Sequence, residues 1–222
     1  MVPHRLDQRD HICRRTARGV RLLLSGAIAV AWLVLPDTAL PACELPARPG
    51  AERLLRFRLD PHESTVRFDA DARLHTFSGT AGKLFGRIRL PSNVPSADAE
   101  ACVQIDAASL TTGIDLRDGR MRKSHLETDR FPTILFTVSG LEQIEPLDAD
   151  WYTATLRGAV TLHGVTNPLK VPAKARLSST LIEVEGKVPL QLSGFQIPIP
   201  SFLFVAMKDE VIVSFKVKAV RE

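Results

Sequence analysis

Residues 156–175 read LRGAVTLHGVTNPLKVPAKA, and this stretch decides the fold. Apolar and polar residues alternate along it as far as Leu162, and the alternation resumes at Leu169. A period of two places one face of a strand against an apolar interior and the other face in water. The intervening residues are typical of a turn, with His163 at the end of the first strand and Thr166-Asn167-Pro168 setting the return. The stretch therefore predicts an antiparallel hairpin in which His163 is a polar, outward-facing turn residue.

The same alternation recurs through the rest of the chain. About eight such segments, separated by stretches rich in Gly, Pro, Asn, Asp and Ser, predict one antiparallel all-β domain, either a sandwich or a barrel. The alternating segments include residues 66–70, 88–90, 103–105, 134–138, 154–162, 169–175, 184–192 and 211–217. Residues 114–126, IDLRDGRMRKSHL, are the exception and predict one or two short helical turns.

The first 42 residues have the pattern of a secretory signal peptide. Six arginines precede the 14-residue apolar run 22–35, which is shorter than the roughly 20 residues that a membrane-spanning helix needs. We expect export with cleavage after Ala42, an N-terminal linker at 43–53 and a barrel domain at 54–222. An uncleaved signal that stays as an anchor is the alternative.

The net positive charge of the chain comes mainly from this expected signal peptide. The sequence has 29 Lys and Arg against 25 Asp and Glu, and residues 1–42 contain six Arg and three of the acids, which leaves 23 basic against 22 acidic residues. A nearly neutral mature chain gives no electrostatic reason to expect nucleic acid as a partner.

The cysteines leave three outcomes open. Cys13 is lost with the signal, so Cys43 and Cys102 remain and can pair in an oxidising compartment. Residues 40–43, LPAC, also resemble a lipoprotein cleavage box, in which case Cys43 carries a lipid and Cys102 is a single thiol. In the third outcome, both cysteines are free.

The sequence offers little for catalysis. The four histidines of the mature chain have no second histidine three or four residues away; they are His62, His75, His125 and His163. HExxH, GxSxG, GxxxxGK[ST] and GxGxxG are missing from the sequence. We expect no catalytic residues, no metal site and no cofactor.

An apolar interior of unusual extent remains. If the strands close into a barrel, its lumen is either filled by side chains or holds one small ligand. The inward positions mix small residues such as Ala70, Gly86 and Ala154 with Phe and Leu, and periodicity does not choose between a filled and a hollow barrel.

Five segments in order along about 160 residues resemble the YceI family. They are LDPHESTVRF at 59–68, FSGTAGKLFGRIRL at 77–90, VQIDAASLTTG at 103–113, RDGRMRKSHLETDRFPTILF at 117–136, and the hairpin segment that begins at 156. The resemblance implies an eight-stranded antiparallel lipocalin-like barrel that binds a long isoprenoid lipid, of the quinone or polyprenyl phosphate type, without catalysis. It also implies a periplasmic location.

Two groups of residues follow as expectations from that resemblance. The residues expected to line the bore are Phe68, Phe77, Phe85, Ile134, Phe136, Leu156, Val160, Leu190 and Phe215. The residues expected to contact a lipid head group are Arg117, Arg120, Arg122 and Lys123.

Two functions of other classes compete with lipid binding. The first is an envelope enzyme or a redox or metal accessory protein that uses the four histidines at the barrel mouth. The second is a filled barrel that acts as a partner-binding module. Membrane contact through a lipidated Cys43 and assembly as a homodimer are further open expectations.

Overall fold

The computed structural model describes residues 43–45, 47, 49–50, 53–72, 75–148, 150–199, 201–202 and 205–222, with only the backbone for residue 75 and for the described residues of 201–206. The signal peptide expected at 1–42 lies outside the described residues. The strands are β1 Leu55–Leu59, β2 Thr65–Ala72, β3 His75–Ala81, β4 Leu84–Leu90, β5 Glu100–Asp106, β6 Leu110–Thr111, β7 Thr133–Asp148, β8 Trp151–Leu162, β9 Val165–Leu177, β10 Leu181–Gln191, β11 Ser201–Phe202 and β12 Val205–Arg221.

Apart from a single 3₁₀ residue, Arg53, helical structure in the described chain is confined to four short pieces. These are the 3₁₀ turn Ala107–Ser109, the α-helix α1 Asp115–Arg120, the π-helical turn Met121–His125 and the 3₁₀ turn Leu192–Phe195. The helical turns predicted at 114–126 are therefore confirmed. None of the helices in the described ranges is long and apolar enough to cross a membrane.

Eight of the described strands close into an antiparallel barrel in the order β1-β4-β5-β7-β8-β9-β10-β12. The ring closes where β1 pairs with β12, at Phe57 opposite Arg221 and Leu59 opposite Ala219. β2 also pairs with β12, next to β1, and continues into β3 and β6. The predicted eight-stranded barrel is confirmed. Closure leaves each of these eight strands with a partner on both sides.

The alternation along the strands directs apolar side chains inward in four packed clusters. The cluster around Phe57, Leu90 and Ile182 lies at the end of the barrel that contains the 91–99 loop and the 178–180 turn. The cluster around Leu126, Leu162 and Phe195 lies at the other end. We call this second end, which contains α1 and the π-helical turn, the α1 end.

A disulfide joins the N-terminal segment to the outside of the barrel. Cys43 is bonded to Cys102 on β5, with their Cα atoms 5.7 Å apart. Cys102 is only 2% exposed. Of the three outcomes that the sequence left open for these cysteines, the structure has the paired one.

The turn of the opening hairpin differs from its prediction. Leu162 pairs with Val165, so the loop consists of His163 and Gly164, at φ 52° and 75°. Two residues at positive φ make the type I′ geometry that matches the twist of the flanking strands. Thr166, Asn167 and Pro168 lie within β9 instead, and the prediction that they set the return was wrong. The turn is identified here by the pairing of Leu162 with Val165 across two loop residues. The presence of a proline nearby does not mark it.

Candidate functional site: an apolar bore with a basic mouth

The barrel encloses a cavity of about 900 Å³. That volume is at the upper end of the range of roughly 300–1,000 Å³ for small-molecule pockets. Its lining is almost entirely apolar and comes from the inward positions of all eight ring strands together with β2 and β3. The barrel is thus hollow, and the alternative of a filled lumen does not describe this structure.

The cavity runs along most of the barrel. Tyr152 and Leu162, near opposite ends of β8, both border it. Ten residues of antiparallel strand at about 3.4 Å each, tilted by about 40° to the axis, span roughly 25 Å. The shape is therefore a long tube, which suits an extended apolar chain better than a compact ligand.

Eight of the nine predicted bore residues border this cavity: Phe68, Phe77, Ile134, Phe136, Leu156, Val160, Leu190 and Phe215. Phe85 does not, and its prediction was wrong. On β4 the inward positions are Gly86, Ile88 and Leu90, whereas Phe85 has the opposite parity and its side chain is 57% exposed.

Two phenyl rings lie against the barrel wall because each faces a glycine. Phe68 is paired with Gly79, and a Cβ atom on Gly79 would come within 2.2 Å of the Phe68 ring. Phe215 is paired with Gly186, where the corresponding distance is 2.6 Å. Each ring covers the backbone that a glycine leaves open, as aromatic residues do beside strand glycines. The rings therefore fill the wall and leave the centre of the bore open.

Replacing Gly186 with alanine is expected to weaken lipid binding about tenfold, because the displaced Phe215 ring occupies part of the lumen; at roughly 25 cal/mol per Å², a tail that buries about 55 Å² less surface loses about 1.4 kcal/mol. Adding Phe215→Leu should restore most of the affinity, since the smaller side chain clears the new methyl group. Titration of G186A and G186A/F215L with a long-chain quinone checks this. Gly194→Ala is the matched control, because its Cβ meets nothing closer than 3.7 Å. Equal affinity for G186A and the parent chain would contradict the role of the glycine.

The mouth at the α1 end is basic. Arg117 and Arg120 border the cavity, and the Arg117 guanidinium lies 4.4 Å from the centroid of the Phe77 ring. Arg117 also donates hydrogen bonds to the Thr112 hydroxyl at 2.7 Å and to the Thr112 carbonyl at 3.1 Å. Two of the four cations that were expected to contact a head group thus border the cavity.

The other two predicted cations point elsewhere. Arg122 donates to the Leu110 carbonyl at 3.1 Å, and Lys123 is exposed; neither borders the cavity. Each residue of a helix is rotated by about 100° from the previous one, so a run of adjacent cations cannot all face one opening. Arg122 and Lys123 therefore lie away from the bore, and their contact with a head group stays a prediction.

Asp118, which was not among the residues predicted from the sequence, fixes α1 across this mouth. Its carboxylate is 2% exposed and accepts hydrogen bonds from the Thr111 hydroxyl at 2.6 Å, from the Thr112 N–H at 2.9 Å and from the Thr112 hydroxyl. Burial alone raises the pKa of Asp118, but these hydrogen bonds and the nearby Arg122 outweigh it, so the pKa is lowered from its ordinary value of 3.8. The charged carboxylate is the form that holds the helix.

We expect Asp118→Asn to lower the free energy of unfolding by about 1–3 kcal/mol, because an amide cannot accept all three hydrogen bonds. Since the folded pKa is depressed, the stabilisation is present above pH 3.8 and is lost as the pH falls through the lower folded pKa. Urea unfolding at neutral and acidic pH measures both effects. Asp115→Asn on the same helix is exposed and should change stability by less than about 0.5 kcal/mol. A D118N chain as stable as the parent would rule out the anchor.

His163 lies in the hairpin turn, but its ring is buried rather than outward-facing. Its side chain is 9% exposed, stacks at 4.4 Å from the Phe131 ring and donates from Nδ1 to the Phe195 carbonyl at 3.1 Å. Nε2 lies 3.5 Å from a Glu127 carboxylate oxygen. Hydrogen bonding from Arg130 is the main cause that lowers the Glu127 pKa, and His163 adds to it. His163 thus joins three loops at the α1 end.

The described histidine side chains, those of His62, His125 and His163, do not converge. His62 is exposed in the turn before β2, His125 donates from Nδ1 to the Pro198 carbonyl at 2.8 Å, and the side chain of His75 lies outside the described part. Across the described ranges, no three or more His, Cys, Asp or Glu side chains form a group that could hold a metal ion.

The fold and the site together define a class: a closed antiparallel β-barrel built around an apolar, ligand-sized bore. The family model of the YceI-like domain matches residues 57–219, and the chain belongs to that family. No curated protein matches the chain.

Two solved structures are similar in fold. BcnA from Burkholderia cenocepacia is 21% identical, with a TM-score of 0.60, and the match covers 72% of this chain and 98% of that chain. A polyisoprenoid-binding domain from Saccharophagus degradans, implicated in plant cell wall breakdown, is 23% identical, with a TM-score of 0.55, and the match covers 75% of this chain and 98% of that chain.

Proposed function

We propose that this protein binds a long-chain isoprenoid lipid in its bore and performs no reaction on it. The observation that carries the proposal is the hollow, apolar tube of about 900 Å³. The family and the polyisoprenoid-binding domain of similar fold support the choice of an isoprenoid. A quinone or a polyprenyl phosphate supplies a polar head for Arg117 and Arg120.

The affinity comes from burial of the tail. Removing apolar surface from water is worth roughly 25 cal/mol per Å², so a tail of several hundred Å² offers several kcal/mol before the costs of ordering it. No reacting group is needed for this, and the lining has few polar side chains that could supply one.

The periplasm is the proposed location. The YceI family and the signal-like residues 1–42 support it, and so does the disulfide, which needs an oxidising compartment to persist. Because the Cys43 sulfur is bonded to Cys102, the same atom is not available for a lipid anchor. Assembly as a homodimer stays a prediction.

The rival functions have less support. The enzyme or metal-accessory hypothesis needs converging imidazoles, and the described side chains of His62, His125 and His163 lie at separate places. A partner-binding module needs no bore of this length.

Binding measurements with isoprenoids of graded length test the proposal. The probes are ubiquinones of increasing tail length delivered from detergent micelles, with the tail-free quinone as a control. We expect affinity to rise with each isoprene unit and to level off when the tail exceeds the roughly 25 Å bore. Equal affinity for the tail-free head group, or no binding of any probe, would contradict the proposal.

A further inference from the structure

The rim of the α1 end exposes three large apolar side chains among the described residues. Leu116 is 70% exposed, Ile114 is 52% exposed and Ile199 is 39% exposed. Leu116 and Ile114 also border the cavity, so the exposed patch is continuous with the lining of the bore. Ile199 lies at the same end of the barrel, because the carbonyl of the preceding Pro198 accepts a hydrogen bond from His125 of the π-helical turn. Exposed apolar residues that cluster at an opening mark an interaction surface.

Positive charge lies next to this apolar rim. Arg120 follows Leu116 by four residues on α1, which places the two on one face, and Lys123 is exposed in the π-helical turn that comes directly after α1. Residues 114–126 contain four Lys and Arg against two Asp. One of the two, Asp118, is buried beneath the helix and holds its charge inside hydrogen bonds to Thr111 and Thr112. Among the exposed charged side chains of this segment, Arg120 and Lys123 are basic and Asp115 is acidic, so the outward charge is net positive.

We propose that the α1 end docks on the surface of a bilayer that contains anionic phospholipid. Leu116 and Ile114 enter the boundary between head groups and acyl chains, and Arg120 and Lys123 contact the phosphates. A short amphipathic segment with cations flanking apolar side chains has the chemistry for such a surface. Three apolar side chains are too few for the core of a stable protein interface, which buries about 1,600 Å².

Docking in this orientation places the mouth of the bore on the membrane. An isoprenoid tail then passes between the bilayer and the bore without crossing water, where its apolar surface is costly to expose. This transfer of a lipid between bilayer and bore rests on the proposed lipid-binding function. The docking itself is measured without any cargo.

Vesicle flotation tests the docking. The protein is purified from the periplasm of a host cell, and its mass is measured to show that the apolar run 22–35 is absent. It is mixed with vesicles of phosphatidylcholine alone or with added phosphatidylglycerol. We expect binding to the anionic vesicles that weakens sharply as salt rises to 1 M, where the Debye length is about 3 Å.

Two double variants separate the charge from the apolar contact. Arg120→Gln with Lys123→Gln should weaken vesicle binding about 30-fold, from about 1 kcal/mol for each cation near an anionic surface. Ile114→Ser with Leu116→Ser should weaken it to a similar degree, because each buried aliphatic side chain contributes more than 1 kcal/mol. Leu147→Ser, which is 52% exposed at the opposite end, and Lys174→Gln on the outer wall are the matched controls and should bind as the parent does.

Failure of the docking proposal is distinct from failure of lipid binding. If the parent chain floats with no vesicle, or if both double variants bind as the controls do, docking is overturned and a protein partner becomes the alternative for this rim. Quinone delivered from micelles is measured on the same samples. Quinone binding without flotation overturns docking alone, whereas flotation without quinone binding overturns the proposed cargo and leaves docking in place.

Discussion

Val213→Trp is expected to abolish the binding of a long isoprenoid while leaving the fold intact. Val213 lies on the inner face of β12, between Val188 and Phe68, and borders the cavity. An indole there occupies the middle of the tube, and an aromatic side chain covers about 200 Å² of surface that the lipid would otherwise bury. At roughly 25 cal/mol per Å² the loss is about 5 kcal/mol, or more than a thousandfold in affinity.

The same variant distinguishes a hollow barrel from a filled one. In a filled core an added indole forces strained rotamers and backbone shifts that cost typically 1–3 kcal/mol or more. In a hollow bore it enters free space, so the urea midpoint should stay close to that of the parent. Ile212→Trp, one residue away on the outer face, is the control and should bind lipid normally. Strong destabilisation by V213W with retained lipid binding would show that the tube is absent.

Removing the disulfide is expected to lower the free energy of unfolding by about 4 kcal/mol. Cys43 and Cys102 are separated by 59 residues, and the chain-entropy relation for a loop of that size gives about this value. Cys43→Ala, Cys102→Ala and the double variant should lose the same amount, because each change opens the same loop. Urea unfolding with and without dithiothreitol measures it.

The intact mass provides the control for this prediction. The purified protein should be two hydrogens lighter than the reduced chain and should carry no lipid on Cys43. Two titratable thiols in the non-reduced protein, or a thioether-linked lipid, would contradict the disulfide.

The fold was predictable because a barrel wall repeats one simple rule. Inward and outward positions alternate on every strand, and short, frequent turns separate the strands. Periodicity alone therefore defines an antiparallel all-β domain. The register between strands was not predictable in this way, since it depends on which strands meet. The choice of a barrel over a sandwich came from the resemblance to a known family.

Predictions for individual residues were wrong where one strand was considered alone. Phe85 was expected in the bore, although its parity is opposite to that of Ile88 and Leu90. His163 was assigned outward parity, which loses its meaning in a turn with positive φ. In both cases the backbone geometry decided, and residue type did not.

The hollow itself could not be predicted from composition. The same mixture of small and large inward residues could fill a tapering lumen with side chains or leave an open tube. Which of the two forms depends on pairs such as Phe68 with Gly79 and Phe215 with Gly186. Phe215 and Gly186 lie on strands that are far apart in the chain. Phe68 and Gly79 face each other only in one register of their hairpin. A signal was present in the glycines of the alternating strands, but it needed the partner strand to be interpreted.

Lipid extraction from the native protein tests the central claim most directly. The protein is purified from its own host without detergent, extracted with organic solvent and analysed by mass spectrometry, with V213W purified in parallel. We predict an isoprenoid lipid in near-stoichiometric amount from the parent chain and little or none from V213W. Reproducible absence of any isoprenoid from the parent chain, or equal amounts from both, would contradict a lipid held in the bore.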